Sequence, residues 1–295
     1  VKKGDKSAVN QFVDRLKRLH LSLIDSSIFD EAKKKEAKNT VSELVDLIKN
    51  VLHGMLPIRE VTPKMLDYLL SFGERLSTFI VSVTIEDIGG SSQYLIGNDA
   101  GIVTDSNFGD ALPLMDTTKL NVSHRLKPLL AKKVIPVITG FIGADQFGNI
   151  TTIGRGGSDY TATIIAAGSR ADEVWLWSDV DGLMTADPKI VSDARVIREA
   201  SFAEALEMAL FGAKYMHPRA LEPAIESNIP MRIRNFMKID DDGTLVVSNP
   251  GKNSHKIVKA ISSIRHTALI DVSGVGMVGA PGTAGRIFDT LAKNK

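Results

Sequence analysis

Apolar residues recur at a helical period through the first quarter of the chain and, from about residue 134, in short blocks of strand length. Val9, Phe12, Val13, Leu16, Leu19 and Leu23 are spaced as one helical face, and Val41, Leu44, Val45, Ile48 and Leu52 repeat the spacing. The charged run Glu31 to Lys38 between them reads as a solvated helix face or an exposed turn. Thr62 followed by Pro63 is an N-cap followed by proline at the first helical position, so a helix should start there. That helix is expected to turn Met65, Leu66, Leu69 and Leu70 inward. It should deliver Ser71–Phe72–Gly73–Glu74–Arg75 near its end or just beyond.

Further along, Val134 to Ile138, Val174 to Trp177, Met231 to Ile233 and Thr244 to Val247 read as buried strands. Tyr160 to Ala167, Ser201 to Leu210 and Pro218 to Ser227 read as helices. This alternation predicts an α/β fold, a three-layer αβα sandwich with a largely parallel sheet, over residues 1–250. The turn-rich stretch Asn249 to Asn253 then marks a boundary. Ile257 to Ile264, Ala268 to Val272, a glycine-rich turn and a helix from Thr283 to Leu291 follow. They predict the start of a small α+β domain over residues 251–295.

Composition narrows the function classes. With 36 basic and 35 acidic residues the net charge is +1, so no global field argues for nucleic acid or an anionic membrane. There is no cysteine, which removes disulfides, thiolate catalysis and cysteine-based metal sites, and fits the cytoplasm. The histidines show no H-x-x-x-H pair, so no structural metal site is expected. No apolar run approaches the roughly 18 residues of a membrane span.

Four clusters carry candidate chemistry. In Gly154–Arg155–Gly156–Gly157–Ser158–Asp159, glycines allow close backbone approach, and the helix that follows offers unpaired N–H groups to an anion. Arg155 adds a planar fork suited to a carboxylate or phosphate. Trp177 to Lys189 is a loop dense in Asp, Gly and Pro, where metal binding and simple turn chemistry both remain open. Phe211 to Pro218 places Lys214 between two helices, as a phosphate ligand or a helix-dipole partner. Ser71 to Ser77 holds Glu74 and Arg75 among apolar neighbours. Because Gly154–Asp159 and Ser178–Asp179 both follow strand candidates, they should share one cleft at the carboxyl ends of the strands.

In this order and spacing, the segments SFGERLS, GFIG…TTIGRGGSD, WSDVDGLMTADPK and FGAKYMHPRALEPA resemble the aspartate kinases of the amino-acid kinase superfamily. The segment IVKAISSI…GVGMVGAPGTAGRIF resembles entry into that family's ACT regulatory domain. The resemblance implies transfer of the γ-phosphoryl group of ATP, accompanied by Mg²⁺, to the β-carboxylate of L-aspartate. It implies that Arg155, with Gly156, Gly157 and Ser158, binds a substrate carboxylate, that Glu74 accepts from the substrate ammonium group, and that Phe141 lines the pocket. Asp159 and Lys214 would be catalytic. Ser178, Asp179, Met184, Lys189, Lys214 and Tyr215 would hold the nucleotide. A lysine or threonine effector would sit near Gly276 and Met277, and the ACT region would pair in a homo-oligomer.

Three positions depart from the family pattern: Ser178 for Thr, Met184 for Tyr and Lys189 for Arg. The family's opening strand and Lys-Phe-Gly-Gly-Thr-Ser phosphate loop have no counterpart in the sequence, and the ACT-like segment stops after one βα unit. The isolated chain is therefore expected to be weak or inactive as a kinase. Two alternatives stay open: a related kinase with another acid substrate, and a non-catalytic regulatory chain. Fusion to a homoserine dehydrogenase is undecided.

Overall fold

The computed structural model describes residues 1, 3–212, 216–251, 258–264 and 282–293. Two helices, α1 (Lys6–Ser27) and α2 (Glu31–Met55), form an antiparallel pair, and a third, α3 (Pro63–Asp87), packs across them. Each opens on a capping side chain: Asp5, Asp30 and Thr62 accept from the backbone N–H three residues on. The charged run at residues 31–38 is the first part of α2. The far end of α3 closes this bundle, where the Asp87 carboxylate accepts from the N–H groups of Phe29 and Asp30 at 2.7 and 3.0 Å. Val13, Ile24, Val41, Val45, Phe72, Leu76 and Ile80 fill its core.

The inward face of α3 differs from the sequence expectation. Met65, Leu66 and Leu70 are exposed, while Asp67, Ser71, Phe72, Leu76 and Ile80 are buried. The helix also runs to Asp87, so Ser71–Arg75 lies in its middle instead of near its end. A buried carboxylate set the face: Asp67 is 0% exposed and turns toward the strands.

The rest of the first compact unit, Val1–Ser262, is mixed α/β. Its elements are β1 (Ser92–Leu95), β2 (Val103–Thr104), α4 (Met115–Ala131), β3 (Ile135–Ile138), β4 (Ile142–Asp145), β5 (Ile150–Thr152) and α5 (Gly157–Ser169). Then follow β6 (Val174–Ser178), β7 (Glu199–Ser201), α6 (Phe202–Leu210), a 3-10 turn (Pro218–Leu221), α7 (Glu222–Ser227), β8 (Met231–Asn235) and β9 (Thr244–Val247). The pairs β1–β3, β2–β4, β6–β8 and β7–β9 are parallel, and β4–β5 and β8–β9 antiparallel. Among the described residues these strands form three sheets, ordered β1-β3, β2-β4-β5 and β6-β8-β9-β7. Four of these six pairings are parallel, in line with the largely parallel α/β architecture expected from the sequence.

Two further differences bear on the site. A β4–β5 hairpin stands between β3 and the glycine cluster, a stretch to which the sequence pattern assigned no strand. Asp145 builds its turn, accepting from the Phe147 and Asn149 N–H groups and from the Asn149 side chain at 2.9–3.0 Å. Strands β3 and β6 are also only half-buried. Trp175 and Trp177 are 48% and 45% exposed, and Arg234 stacks on both rings from β8. The second core joins α5, β6, α6, α7, β8 and β9 through Ile164, Leu176, Ala205, Ala224, Met231 and Val246.

Residues Ser263–Lys295 form a separate unit, whose helix α8 (Thr283–Lys293) covers the predicted Thr283–Leu291. Lys214, Tyr215, Gly276 and Met277, the apolar segment at residues 268–272 and the glycine-rich turn lie outside the described residues.

Candidate active site

The carboxyl ends of the parallel strands β1 and β3 lie at one edge. There the Thr139 hydroxyl accepts from Gly97 N–H at 2.9 Å, and Thr139 N–H donates to Leu95 O at 3.0 Å. Gly140 and Phe141 come next. Phe141 takes a left-handed backbone, φ 65°, which a bulky residue adopts only when its surroundings enforce it. Its N–H donates to the Thr161 hydroxyl at 3.0 Å, and that hydroxyl donates to Gly157 O at 2.7 Å. Its carbonyl accepts from Ile153 N–H at 3.0 Å. The turn after β3 is thus fastened to both ends of the glycine cluster.

The cluster itself follows β5. Gly154 and Gly156 have φ of 78° and 73°, and Gly156 is the N-cap of α5. Space as well as dihedral demands glycine here. A Cβ at Gly154 would run into Asp110 Oδ1, one at Gly156 into His217 Cβ, and one at Gly157 would come within 2.8 Å of the Phe141 ring. The N-terminus of α5 has no side-chain cap; Gly157 N–H is taken by Gly154 O at 3.1 Å, and the next N–H groups, of Ser158 and Asp159, are left to meet an anion among the described residues. Arg155 and Ser158 project there, both exposed, and no ion pair or hydrogen bond holds either side chain among the described residues. Asp159 sits half-buried in the first turn. Burial pushes its carboxyl up, and the charge of His217 pulls it part of the way back.

Helix α3 brings Glu74. Asp67 accepts from Thr152 N–H and Thr152 hydroxyl at 2.9 and 2.8 Å and from Gly109 N–H at 2.9 Å, which pins α3 to β5 two residues before Gly154. Seven residues later Glu74 returns to the same helical face, about 10 Å further along. Its carboxyl is pushed up by burial. Beside it, Arg75 stacks on Phe72 at 4.4 Å, and its guanidinium pulls the Tyr94 phenol part of the way back down against the larger upward effect of burial.

The other predicted residues lie on the neighbouring sheet. Helix α5 packs against β6 after a four-residue turn, which sets the two antiparallel. The N-terminus of α5 and the carboxyl end of β6 therefore face the same side. Ser178 ends β6, and its hydroxyl donates to Asp179 at 3.2 Å. Met184 pairs with Val196 in an isolated antiparallel bridge, and exposed Lys189 has its N–H on Asp187 at 2.9 Å. Two partners that the sequence reading missed order this edge. Asn235 donates to Asp181 at 2.6 Å, and Lys238 donates to it at 2.7 Å. Both bonds lower the Asp181 carboxyl, Lys238 most.

Also missed were Asp67, Asp110 and Arg219, the last two joined at 2.9 Å. Asp67 left one signal in the sequence, a lone carboxylate inside the apolar run Met65–Leu70. Asp110 and Arg219 are 109 residues apart and left none.

A turn of glycines before an uncapped helix, with one unpaired arginine and two carboxyls pushed up by burial, suits a small anionic substrate beside a phosphate-bearing one. The sequence matches the amino acid kinase family over residues 7–235. The chain belongs to that family. Within it, the chain is 34% identical over 255 residues to aspartokinase 3, chloroplastic, of Arabidopsis thaliana, covering 86% of this chain and 45% of that protein. It is 35% identical over 269 residues to the aspartokinase of Mycolicibacterium smegmatis, covering 88% and 62%. Among solved structures, E. coli aspartokinase III in complex with aspartate and ADP superposes with a TM-score of 0.73 at 31% identity, covering 81% of this chain and 52% of that one. The same enzyme in complex with lysine and aspartate gives 0.67 at 27% identity, covering 94% and 65%. The chain spans about half the length of the plant relatives it matches.

Proposed function

We propose that the protein is an aspartate kinase, transferring the γ-phosphoryl group of ATP to the β-carboxylate of L-aspartate. The observation that carries this reading is Arg155, exposed and unpaired among the described residues, held in a left-handed glycine turn at the open N-terminus of α5. A guanidinium in that place fits a carboxylate bidentately. Similarity to proteins named aspartokinase, one of them solved with aspartate and ADP, supports the choice of acid.

In this reading Arg155 grips the α-carboxylate, with Gly156, Gly157 and Ser158 beside it, and Glu74 accepts from the ammonium group. Phe141 closes the pocket wall. The β-carboxylate is ionised near neutral pH and needs no general base. One of its oxygens attacks the γ-phosphorus in line, the bond to the β-phosphate oxygen breaks, and ADP departs with both electrons of that bond. The protein's part is positioning and charge neutralisation. Asp159 orients the cationic groups around the transferring phosphoryl, and Lys214 is assigned to the nucleotide phosphates. Ser178, Asp179, Met184, Lys189 and Tyr215 are assigned to the nucleotide. Among the described residues no three His, Asp or Glu side chains converge as a metal site. The Mg²⁺ of the proposal is one that arrives on ATP, where it needs few protein ligands.

Residues 251–295 are proposed as ACT-like, with an amino-acid effector and a role in homo-oligomer formation. The lysine-bound structure of E. coli aspartokinase III supports such an effector. Among the described residues no helix is long and apolar enough to cross a membrane; the cytoplasm remains the proposed compartment.

The test is acyl phosphate trapping with hydroxylamine, using Mg-ATP and the longest natural form of the protein. Aspartate, glutamate, N-acetylglutamate and no acid are offered in parallel. Hydroxamate with aspartate alone is expected. Hydroxamate with another acid overturns the substrate, and none with any acid overturns the activity.

A further inference from the structure

Residues 258–262, which the sequence grouped with the second domain, belong to the first compact unit, which ends at Ser262. Three contacts tie them down. Lys259 donates to both carboxylate oxygens of Glu204, at 2.9 and 2.8 Å, with its own side chain only 18% exposed. Ala260 packs against the second core. Ile261 N–H donates to Thr185 O at 2.9 Å.

Both anchors belong to something else as well. Glu204 is the acidic member of the α6 capping box and accepts from Ser201 N–H at 2.7 Å. Thr185 follows Met184 in the loop assigned above to the nucleotide. Around Met184 the chain pairs with residues 195–197: Ile197 N–H donates to Leu183 O at 2.7 Å, and Thr185 N–H donates to Arg195 O at 2.8 Å. An antiparallel pair ordinarily exchanges both backbone bonds. Here Arg195 N–H donates to the Thr185 hydroxyl instead, at 3.0 Å, and the Thr185 carbonyl accepts from Ile261.

We propose that Lys259 and Ile261 are positioning residues for the nucleotide: the pair with Glu204 fixes residues 259–261 on α6, and Ile261 N–H holds Thr185, so that Met184 is in place before ATP arrives. A loop ordered in advance does not have to be ordered on binding, and the ligand binds more tightly for it. The role in binding rests on the nucleotide assignment above; the brace itself does not.

Two substitutions release the brace from opposite ends. Glu204→Gln removes the charge that Lys259 answers and keeps the capping box, which glutamine also completes. Ile261→Pro removes the donor to Thr185. Lys259→Arg keeps the charge and serves as the control. Hydrogen exchange at the Thr185 amide reads the brace with no ligand present, and calorimetric titration with MgADP reads the nucleotide, both on the longest natural form of the protein. In Glu204→Gln and Ile261→Pro the amide should exchange roughly tenfold faster. MgADP should bind roughly fivefold more weakly, and KM for ATP should rise to match with kcat unmoved. Lys259→Arg should behave as the wild type.

Exchange and affinity unchanged in both variants would overturn the proposal. Faster exchange with MgADP affinity unchanged would overturn it too, and leave an anchor for the chain. Faster exchange in a protein whose wild type does not bind MgADP would uphold the brace and remove the nucleotide assignment instead.

Discussion

The glycine-turn side of the site and the β6–β8 edge treat their charges in opposite ways. At the turn, Glu74 and Asp159 are pushed up by burial, and Arg155 has no partner among the described residues. At the edge, Asp181 is held down by Lys238 and Asn235, and Asp241 is lowered to about 2, chiefly by Arg198 and then by Gly243 N–H. Charges that answer one another brace a fold. Charges held apart carry a standing cost, and a ligand can relieve it. The backbone follows the same division. The turn uses left-handed Phe141, Gly154 and Gly156, whereas the edge is an ordinary parallel ladder from Val174↔Met231 to Ser178↔Asn235.

This contrast is open to four tests, the strongest first. Asp159→Asn should lower turnover roughly 1000-fold. It should also raise the melting temperature near neutral pH. A carboxyl raised in the folded state stabilises most below its unfolded value of 3.8 and loses that contribution as pH rises through the folded value, so removing the charge recovers it. Melting curves near neutral pH and below about pH 3 should diverge only in the first condition. A lower melting temperature at neutral pH would show that Asp159 is already satisfied.

Arg155→Ala should cut kcat/KM for aspartate roughly 100-fold and leave stability untouched, since no ion pair or hydrogen bond holds the side chain among the described residues. Steady-state kinetics with a denaturation curve reads both. Gly156→Ala should destabilise by about 2 kcal/mol, through its positive φ and the collision with His217. A urea midpoint at the wild-type value would break that reading of the turn.

The smallest effect belongs to the edge. Arg198→Ala should cost less than about 1 kcal/mol, because the pair with Asp241 is largely exposed. Here the carboxyl is depressed, so its contribution is complete above 3.8 and is lost as pH falls through about 2. The variant should flatten stability against pH in that window and leave turnover alone. A large loss of turnover would dissolve the distinction between the two regions.

Much of the scaffold was legible because local chemistry wrote it. The Thr62–Pro63 start, the helix that follows Ser201 and the apolar blocks at β6, β8 and β9 each follow from neighbours in sequence. What escaped depended on distant partners. Periodicity assigned Leu66 and Leu70 to the core of α3. The turn of that helix was instead decided by Asp67, which serves Thr152 85 residues away. The β4–β5 hairpin escaped because its strands are three and four residues long and its turn is organised by one aspartate. The glycine cluster was recognisable from composition. The reasons each glycine is required, Asp110, His217 and Phe141, are tertiary.

The central claim is that a carboxylate oxygen of aspartate is the nucleophile at the Arg155 turn. Aspartate carrying heavy oxygen in its β-carboxylate tests it most directly. Hydroxylamine attacks the carbonyl carbon of an acyl phosphate, so the bridging oxygen leaves with phosphate. The account predicts that phosphorus NMR finds one heavy oxygen in each phosphate released, and that Arg155→Ala releases almost none. Phosphate released at the wild-type rate without the label would mean that water, not aspartate, takes the phosphoryl group, and would contradict the account.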